Sequence, residues 1–354
     1  MPYSLPSLAL ALLLACSAAA AAEEPIRIGV AAPLSGASAI LGAQVLAGVR
    51  TAADSITDVT EADTECSGEG GGTAAAAALI AAKVQVAVGF LCTEALAAAL
   101  PKLSAAGIPV ITVGVRANRF TDTRAKTDAL LWRLAPRSDA EADAAAALLI
   151  ARWKDVPFGL VDDGTIYGRG LSDAVRTRLE SAGMRAATID NFRPAEEKQF
   201  GLVRRILATG VTHLFLAGDR PDIAIIARDA ASISLGLDIV GGEALLDEAS
   251  ADAKLPAGVL AVGPLNRFDD IPTPDADPAS RQGYFGPAVA ATEIALAAVR
   301  FARQKARPLP EVLDANAFAT SLGPIRFDAK GDSDLKLFRT FRFDGQDFVP
   351  EAGG

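Results

Sequence analysis

Glu65-Cys66-Ser67-Gly68-Glu69-Gly70-Gly71-Gly72, then Gly89-Phe90-Leu91-Cys92-Thr93-Glu94, then Ile108-Pro109-Val110-Ile111-Thr112 and on to Asn118, are joined by alanine-rich runs. The pattern is strand, turn, helix, strand, turn, helix, strand. A βαβαβ run of this kind builds a parallel sheet whose strands deliver their C-terminal ends to one edge, where helix N-termini and free backbone amides can meet a ligand. Cys66 and Cys92 fall at two of those strand ends, so a bridge between them would pin the rim of a cleft. The glycines at 68–72 lack the G-K-[ST] ending of a phosphate loop and are read as a solvent loop.

The chain has 354 residues, enough for two domains that each bury a core. It is 51% hydrophobic with 6% aromatic residues, which fits an alanine-rich globular α/β protein. A formal net charge of −9 argues against nucleic acid as a partner, since phosphate binding needs clustered Lys and Arg, and none is expected. Met1 to Ala22 has no charged side chain, an apolar run from Leu5 to Cys16 and an A-x-A site at Ala20-Ala21-Ala22. It reads as a secretory signal peptide over residues 1–22, and the localisation as periplasmic. The alternative takes Leu13-Leu14-Ala15-Cys16 as a lipoprotein site with Cys16 as anchor. Removing the signal leaves Cys66 and Cys92 as an even pair, either bridged in an oxidising compartment or present as two free buried thiols. A bridge would close 26 positions, worth roughly 3 kcal/mol. Two cysteines and the single His213 show no metal-ligand spacing, and no metal or cofactor is expected.

Upstream, Ile26-Arg27-Ile28-Gly29-Val30 is a strand, and a helix follows from about Ser38, which can cap it. Helices are expected over Thr73–Lys83 and Thr93–Ala106, the latter stopped by Gly107. Gly114 to Thr127 reads as an irregular loop, and Ala135-Pro136 breaks the strand Leu130–Leu134. Ser138-Asp139-Ala140-Glu141 reads as a capping-type helix start. A second βα cycle then runs through strands at Phe158–Val161, Arg185–Asp190, His213–Ala217 and Asp238–Val240. After the strand Val259–Val262 come a long helix at Tyr284–Lys305, a short helix at about Glu311–Ser321, and strands at Ile325–Phe327 and Leu337–Phe343. This tail is too small for a third domain and is expected to return to the earlier lobes.

In this order and spacing, several segments resemble the leucine/isoleucine/valine-binding family, the substrate-binding proteins of branched-chain amino acid ABC transporters. They are Ile28-Gly29-Val30-Ala31-Ala32-Pro33-Leu34-Ser35-Gly36, Cys66 with Gly89-Phe90-Leu91-Cys92, Asp163 to Tyr167-Gly168, Gly242-Glu243, and Ile325-Arg326-Phe327-Asp328-Ala329-Lys330-Gly331-Asp332. The resemblance implies an α/β type I periplasmic binding protein fold of two doubly wound lobes with a three-crossover hinge. The crossovers would fall near Leu134–Pro136, Val262–Pro264 and Phe327–Gly331. The lobes would be 23–135 plus 263–328 and 136–262 plus 329–354, closing on a ligand.

Carried over residue by residue, the resemblance assigns the ligand carboxylate to Thr93, the ligand cover to Tyr167 and the ligand ammonium to Glu243. It departs at Leu41 and Asp219, where the family has tyrosines, and at Val115-Arg116 after Gly114, where it has a small residue and threonine. Arg116 and Asp219 add a charge of each sign, so a plain aliphatic amino acid would meet polar groups it cannot satisfy. The ligand is therefore expected to be a small amino-acid-like or polar carboxylate, its acid on Arg116 and Thr93 and its donors on Glu243 and Asp219. Alternatively Arg116 faces solvent or pairs with Asp219. His213 and the Asp162-Asp163 pair read as packing and turn residues, and no nucleophile stands with a base, so no enzyme is expected. The partners are a small-molecule ligand and an ABC permease, with the chain a monomer. A secreted sensor that reports its solute without transporting it would need the same hinge.

Overall fold

The computed structural model describes residues 24–66, 68–247, 249, 253–273 and 281–351. The expected signal peptide over residues 1–22 and the alternative anchor Cys16 lie outside the described residues. The first sheet is parallel, with strands β1 (Ile26–Ala32), β2 (Thr57–Asp63), β3 (Val86–Gly89), β4 (Val110–Thr112) and β5 (Leu131–Arg133) in the order β2-β1-β3-β4-β5. Its helices are α1 (Ala39–Ala52), α2 (Glu69–Ala81) and α3 (Thr93–Ala105), with two single turns, α4 (Arg119–Asp122) and α5 (Arg124–Thr127), in the segment expected as irregular. Alternation along β1 sorts the layers. Ile26, Ile28 and Val30 face one core with Val45 and Val49 of α1, whereas Ala31 faces another with Leu79 of α2 and Leu96 of α3.

The glycines at 68–72 are not a solvent loop. Three of them form the first turn of α2, and their lack of side chains lets that turn approach backbone. A Cβ on Gly71 would lie 2.0 Å from the carbonyl oxygen of Thr64, and one on Gly72 would lie 2.1 Å from that of Ala95. The Cys66–Cys92 disulfide is formed, with Cα atoms 5.5 Å apart, and ties the end of β2 to the start of α3. At the other end of α3, Gly107 (φ +72°) closes a Schellman motif, Gly107 N–H donating to Ser104 and Ile108 N–H to Leu103.

The second sheet contains β6 (Phe158–Asp162), β7 (Thr188–Asn191), β8 (His213–Ala217), β9 (Asp238–Gly241) and β10 (Leu260–Pro264). Its flanking helices are α6 (Ala140–Trp153) and α7 (Ile166–Ser181) on one face and α8 (Phe200–Thr209) and α9 (Arg220–Ser232) on the other. After β10, α10 (Phe285–Lys305) and α11 (Leu309–Ala315) return to the first lobe. α10 is long and apolar enough to cross a membrane, but here its Ala288, Ala291 and Ile294 are buried against the first sheet. The helix expected to Ser321 ends at Ala315, because β11 (Ala317–Thr320) and β12 (Gly323–Arg326) form a hairpin that buries Phe318 with Ile325. β13 (Phe338–Phe343) and β14 (Phe348–Pro350) then complete the second sheet, in the order β14-β13-β10-β9-β8-β6-β7.

The chain passes between the sheets three times. Leu134 to Arg137 makes the first passage and Leu265 to Asn266 the second, because β10 keeps pairing with β13 as far as Pro264. The third lies after Ser333, later than the expected 327–331. Residues 329–333, expected on the second lobe, stay on the first: Asp332 bridges in parallel with Arg133, and the Ser333 amide donates to the Arg133 carbonyl at 3.0 Å. Arg133, 1% exposed, anchors this segment through Nε to Asp332 at 2.7 Å.

Candidate ligand cleft between the lobes

Side chains from just past the C-terminal end of β4 on the first lobe and of β9 on the second meet. Arg116, just past β4, donates Nη1 to both carboxylate oxygens of Glu243, just past β9, at 2.8 and 3.0 Å. Both side chains are half-buried, and the guanidinium lies 5.4 Å from the Phe338 ring centroid at the start of β13. The backbone of Arg116 is equally well held. Its carbonyl accepts from Arg133 Nη1 at 2.9 Å and from the Ser138 amide at 3.0 Å. Arg116, Gly114 and Tyr284 also line a cavity of about 230 Å³ walled by the passage residues Pro136, Asn266 and Leu337.

Beneath Glu243 lies Glu141, 4% exposed on the first turn of α6. Its Oε1 accepts from the Tyr167 hydroxyl and from the Glu243 amide, both at 2.7 Å. Burial, and then the nearby Glu243 charge, push the Glu141 carboxyl toward its protonated form. Burial together with Glu141 likewise raises the Tyr167 phenol well above its ordinary value. Gly242 makes this packing possible, since a Cβ there would sit 2.3 Å from Glu141 Oε1. Burial raises the Tyr284 phenol as well.

The remaining residues singled out in the sequence are dispersed. Thr93 begins α3, whose start has no side-chain cap, leaving its first amides available to an anion. Gly114 packs on that segment: a Cβ would lie 2.6 Å from Leu91 Cδ2. Val115 is 1% exposed in the first lobe's core, so its side chain does not reach the cleft. Leu41 is half-buried in the first turn of α1. Asp219 caps α9 by position, is exposed, and does not pair with Arg116, which takes Glu243 instead. The Asp219 charge works instead on Asp222 and Asp247, contributing after burial to raising both carboxyls.

Glu141, Tyr284 and Phe338 were not singled out by the sequence. Glu141 was read as part of a capping box, yet Ser138 does not cap and the Asp139 carboxylate binds Arg137 and Asn118. Its one available signal was the acidic residue's place on an otherwise apolar helix face. Ser38 also makes no side-chain cap. Asp162 and Asp163 accept from the Gly164 and Thr165 amides as turn groups, and His213 packs edge-on against Trp153 at 5.6 Å.

Comparison with known proteins agrees with this architecture. The model of the family described as "Periplasmic binding protein" matches residues 25–304. The Leu/Ile/Val-binding protein BraC3 of Rhizobium johnstonii is 26% identical, over 98% of this chain and 99% of its own. Two solved structures superimpose with a TM-score of 0.63. One is a solute-binding protein of an ABC transporter from R. palustris in complex with 4-hydroxybenzoate, 14% identical over 92% of this chain and 95% of that one. The other is an ABC transporter substrate-binding protein from Desulfitobacterium hafniense in complex with Leu, 20% identical over 93% of this chain and 100% of that one. These are binding proteins and not enzymes. A parallel sheet and a mixed one joined by three passages, a charged junction between their strand ends and a family match across most of the length lead to one conclusion: the chain belongs to the periplasmic binding proteins.

Proposed function

We propose that the chain is the periplasmic solute-binding component of an ABC importer, trapping a small amino-acid-like or polar carboxylate solute between its lobes by hinge closure. The observation that carries this reading is the Arg116–Glu243 junction. It joins residues from opposite lobes beside the three passages, where a rotation of one lobe would make or break it. The lobes in this reading are residues 24–135 with 265–333, and 136–264 with 334–351. The first lobe offers positive potential through Arg116 and the uncapped start of α3. The second offers an acceptor through Asp219, with Glu243 holding Arg116. A solute with an acid at one end and hydrogen-bond donors at the other bridges the two, and exclusion of water on closure strengthens each contact. The relatives' descriptions as ABC transporter components support a permease partner, and the negative net charge supports the absence of a nucleic-acid partner. We take the working unit to be a monomer.

The test is thermal unfolding of the secreted protein against a panel of amino acids, dicarboxylates and aromatic acids. A ligand at 100 times its dissociation constant adds about 2.7 kcal/mol to the stability of the form that binds it. Stabilisation by one chemical class, with loss of uptake of that class in a deletion strain, is the expected result. Intact uptake with loss of a cellular response would replace transport with sensing.

A further inference from the structure

We infer that Arg116 makes this cleft select carboxylates that carry no α-ammonium, with the ligand's acid seated on the Nε–Nη2 edge of the guanidinium while Nη1 stays on Glu243. This rests on the cleft being the ligand site. The guanidinium has its donors divided in a particular way. Nη1 alone serves Glu243, making both hydrogen bonds. Among the described residues, Nε is buried without a hydrogen-bond partner and Nη2 forms no bond. A buried N–H left unsatisfied is a cost that binding can recover. This unpaired edge carries two parallel N–H groups in the geometry that a carboxylate accepts bidentately.

The other half of the inference concerns Glu243. An acid in that position would hold a ligand ammonium, but both of its oxygens already accept from Arg116. An ammonium would have to displace a guanidinium that is also held over Phe338 and whose backbone carbonyl is fixed by Arg133. A ligand without an ammonium leaves all of these contacts in place. The adjoining cavity of about 230 Å³, which Arg116 and Tyr284 line, is below the range of drug-sized pockets and suits a compact acid. The second carboxyl of the junction, Glu141, is hydrogen-bonded by Tyr167 and shifted toward its neutral form, which lessens its repulsion of an incoming anion.

The experiment is calorimetric titration with pairs that differ only in the ammonium: leucine against 4-methylpentanoate, and phenylalanine against 3-phenylpropionate, with 4-hydroxybenzoate as a further acid. The wild type is expected to bind the ammonium-free member at least tenfold more tightly. Arg116→Ala frees Glu243 and removes the acid's seat, so it should lose the ammonium-free acids by at least tenfold and gain affinity for the amino acids. Glu243→Gln keeps Arg116 and should retain the preference for ammonium-free acids, which separates the guanidinium's role from a general disturbance of the fold. A wild type that prefers the amino acid of each pair overturns the inference and leaves the binding-protein reading standing, as does an Arg116→Ala preference within twofold of wild type. No heat from any compound, together with no small molecule released from the denatured protein, overturns the ligand-site reading itself.

Discussion

Replacing Arg133 with Met would test how the hinge is held and, through it, how Arg116 is presented. Arg133 is 1% exposed, and its fork is fully used. Nε and Nη2 meet Asp332 at 2.7 and 2.6 Å, Nη1 meets the carbonyls of Arg116 and Ala117 at 2.9 and 3.0 Å, and Nη2 also meets Thr121 at 2.7 Å. Burial works against its charge and Asp332 compensates. Breaking a buried pair by removing one partner costs about 3–5 kcal/mol. Asp332 keeps a second cation, Arg137 Nη1 at 2.7 Å, so the lower end applies, about 3 kcal/mol. Methionine retains the apolar stem, so the loss reports the head group. At roughly 2 °C per kcal/mol for a unit of this size, the melting temperature should fall by about 6 °C in calorimetry. Asp332→Asn combined with Arg133→Met should recover part of this, because the carboxylate oxygen that faced Arg133 no longer carries charge. Ligand affinity should fall several-fold as well, since the Arg116 carbonyl loses its strongest donor. An Arg133→Met protein within about 0.5 kcal/mol of wild type, the range of ordinary surface substitutions, would refute the reasoning.

Three further outcomes follow from other parts of the molecule. Replacing both Cys66 and Cys92 with Ser should cost about 3.5 kcal/mol in the chain-entropy model for a loop of 26 positions, read as a lower denaturant midpoint than the oxidised wild type. Gly89→Ala should cost about 3 kcal/mol or more, measured in the same way, because φ is +115° and the new Cβ would lie 2.3 Å from the carbonyl oxygen of Ala31 in the neighbouring strand. Lys330 and then Arg137 hold the Asp122 carboxyl down to about 2, so its contribution is complete above the ordinary 3.8 and lost as pH falls toward 2. Glu141 has the opposite sign, its raised carboxyl losing stability as pH climbs from 4.5 through its folded value. Stability measured against pH should therefore flatten at the acid end in Asp122→Asn and above 4.5 in Glu141→Gln.

The doubly wound architecture was legible because it depends on local pattern: β-branched runs alternating with helices that end at glycine stops. The disulfide was legible from cysteine number. What escaped depends on contacts distant in sequence. The glycines at 68–72 looked like a loop because nothing local announces that Thr64 and Ala95 backbone lie against them. Residues 329–333 looked like second-lobe chain because their attachment to Arg133 spans 199 positions. At the cleft, Arg116 and Glu243 were both named, but their pairing was not, since each was assigned to a different end of the ligand. Glu141 was hidden by a capping pattern its side chain does not use. Charge type was readable at these positions, and charge partner was not.

Closure of the two lobes on a solute is read most directly from the distance between them. Spin labels at exposed Lys102 on α3 and exposed Glu180 on α7 report it by pulsed electron resonance, with and without the tightest compound of the titration panel. The account predicts a distribution that shifts and narrows at saturation, and a shift that Glu243→Ala weakens together with affinity. A distribution unchanged by saturating ligand would contradict closure and with it the role assigned to the cleft.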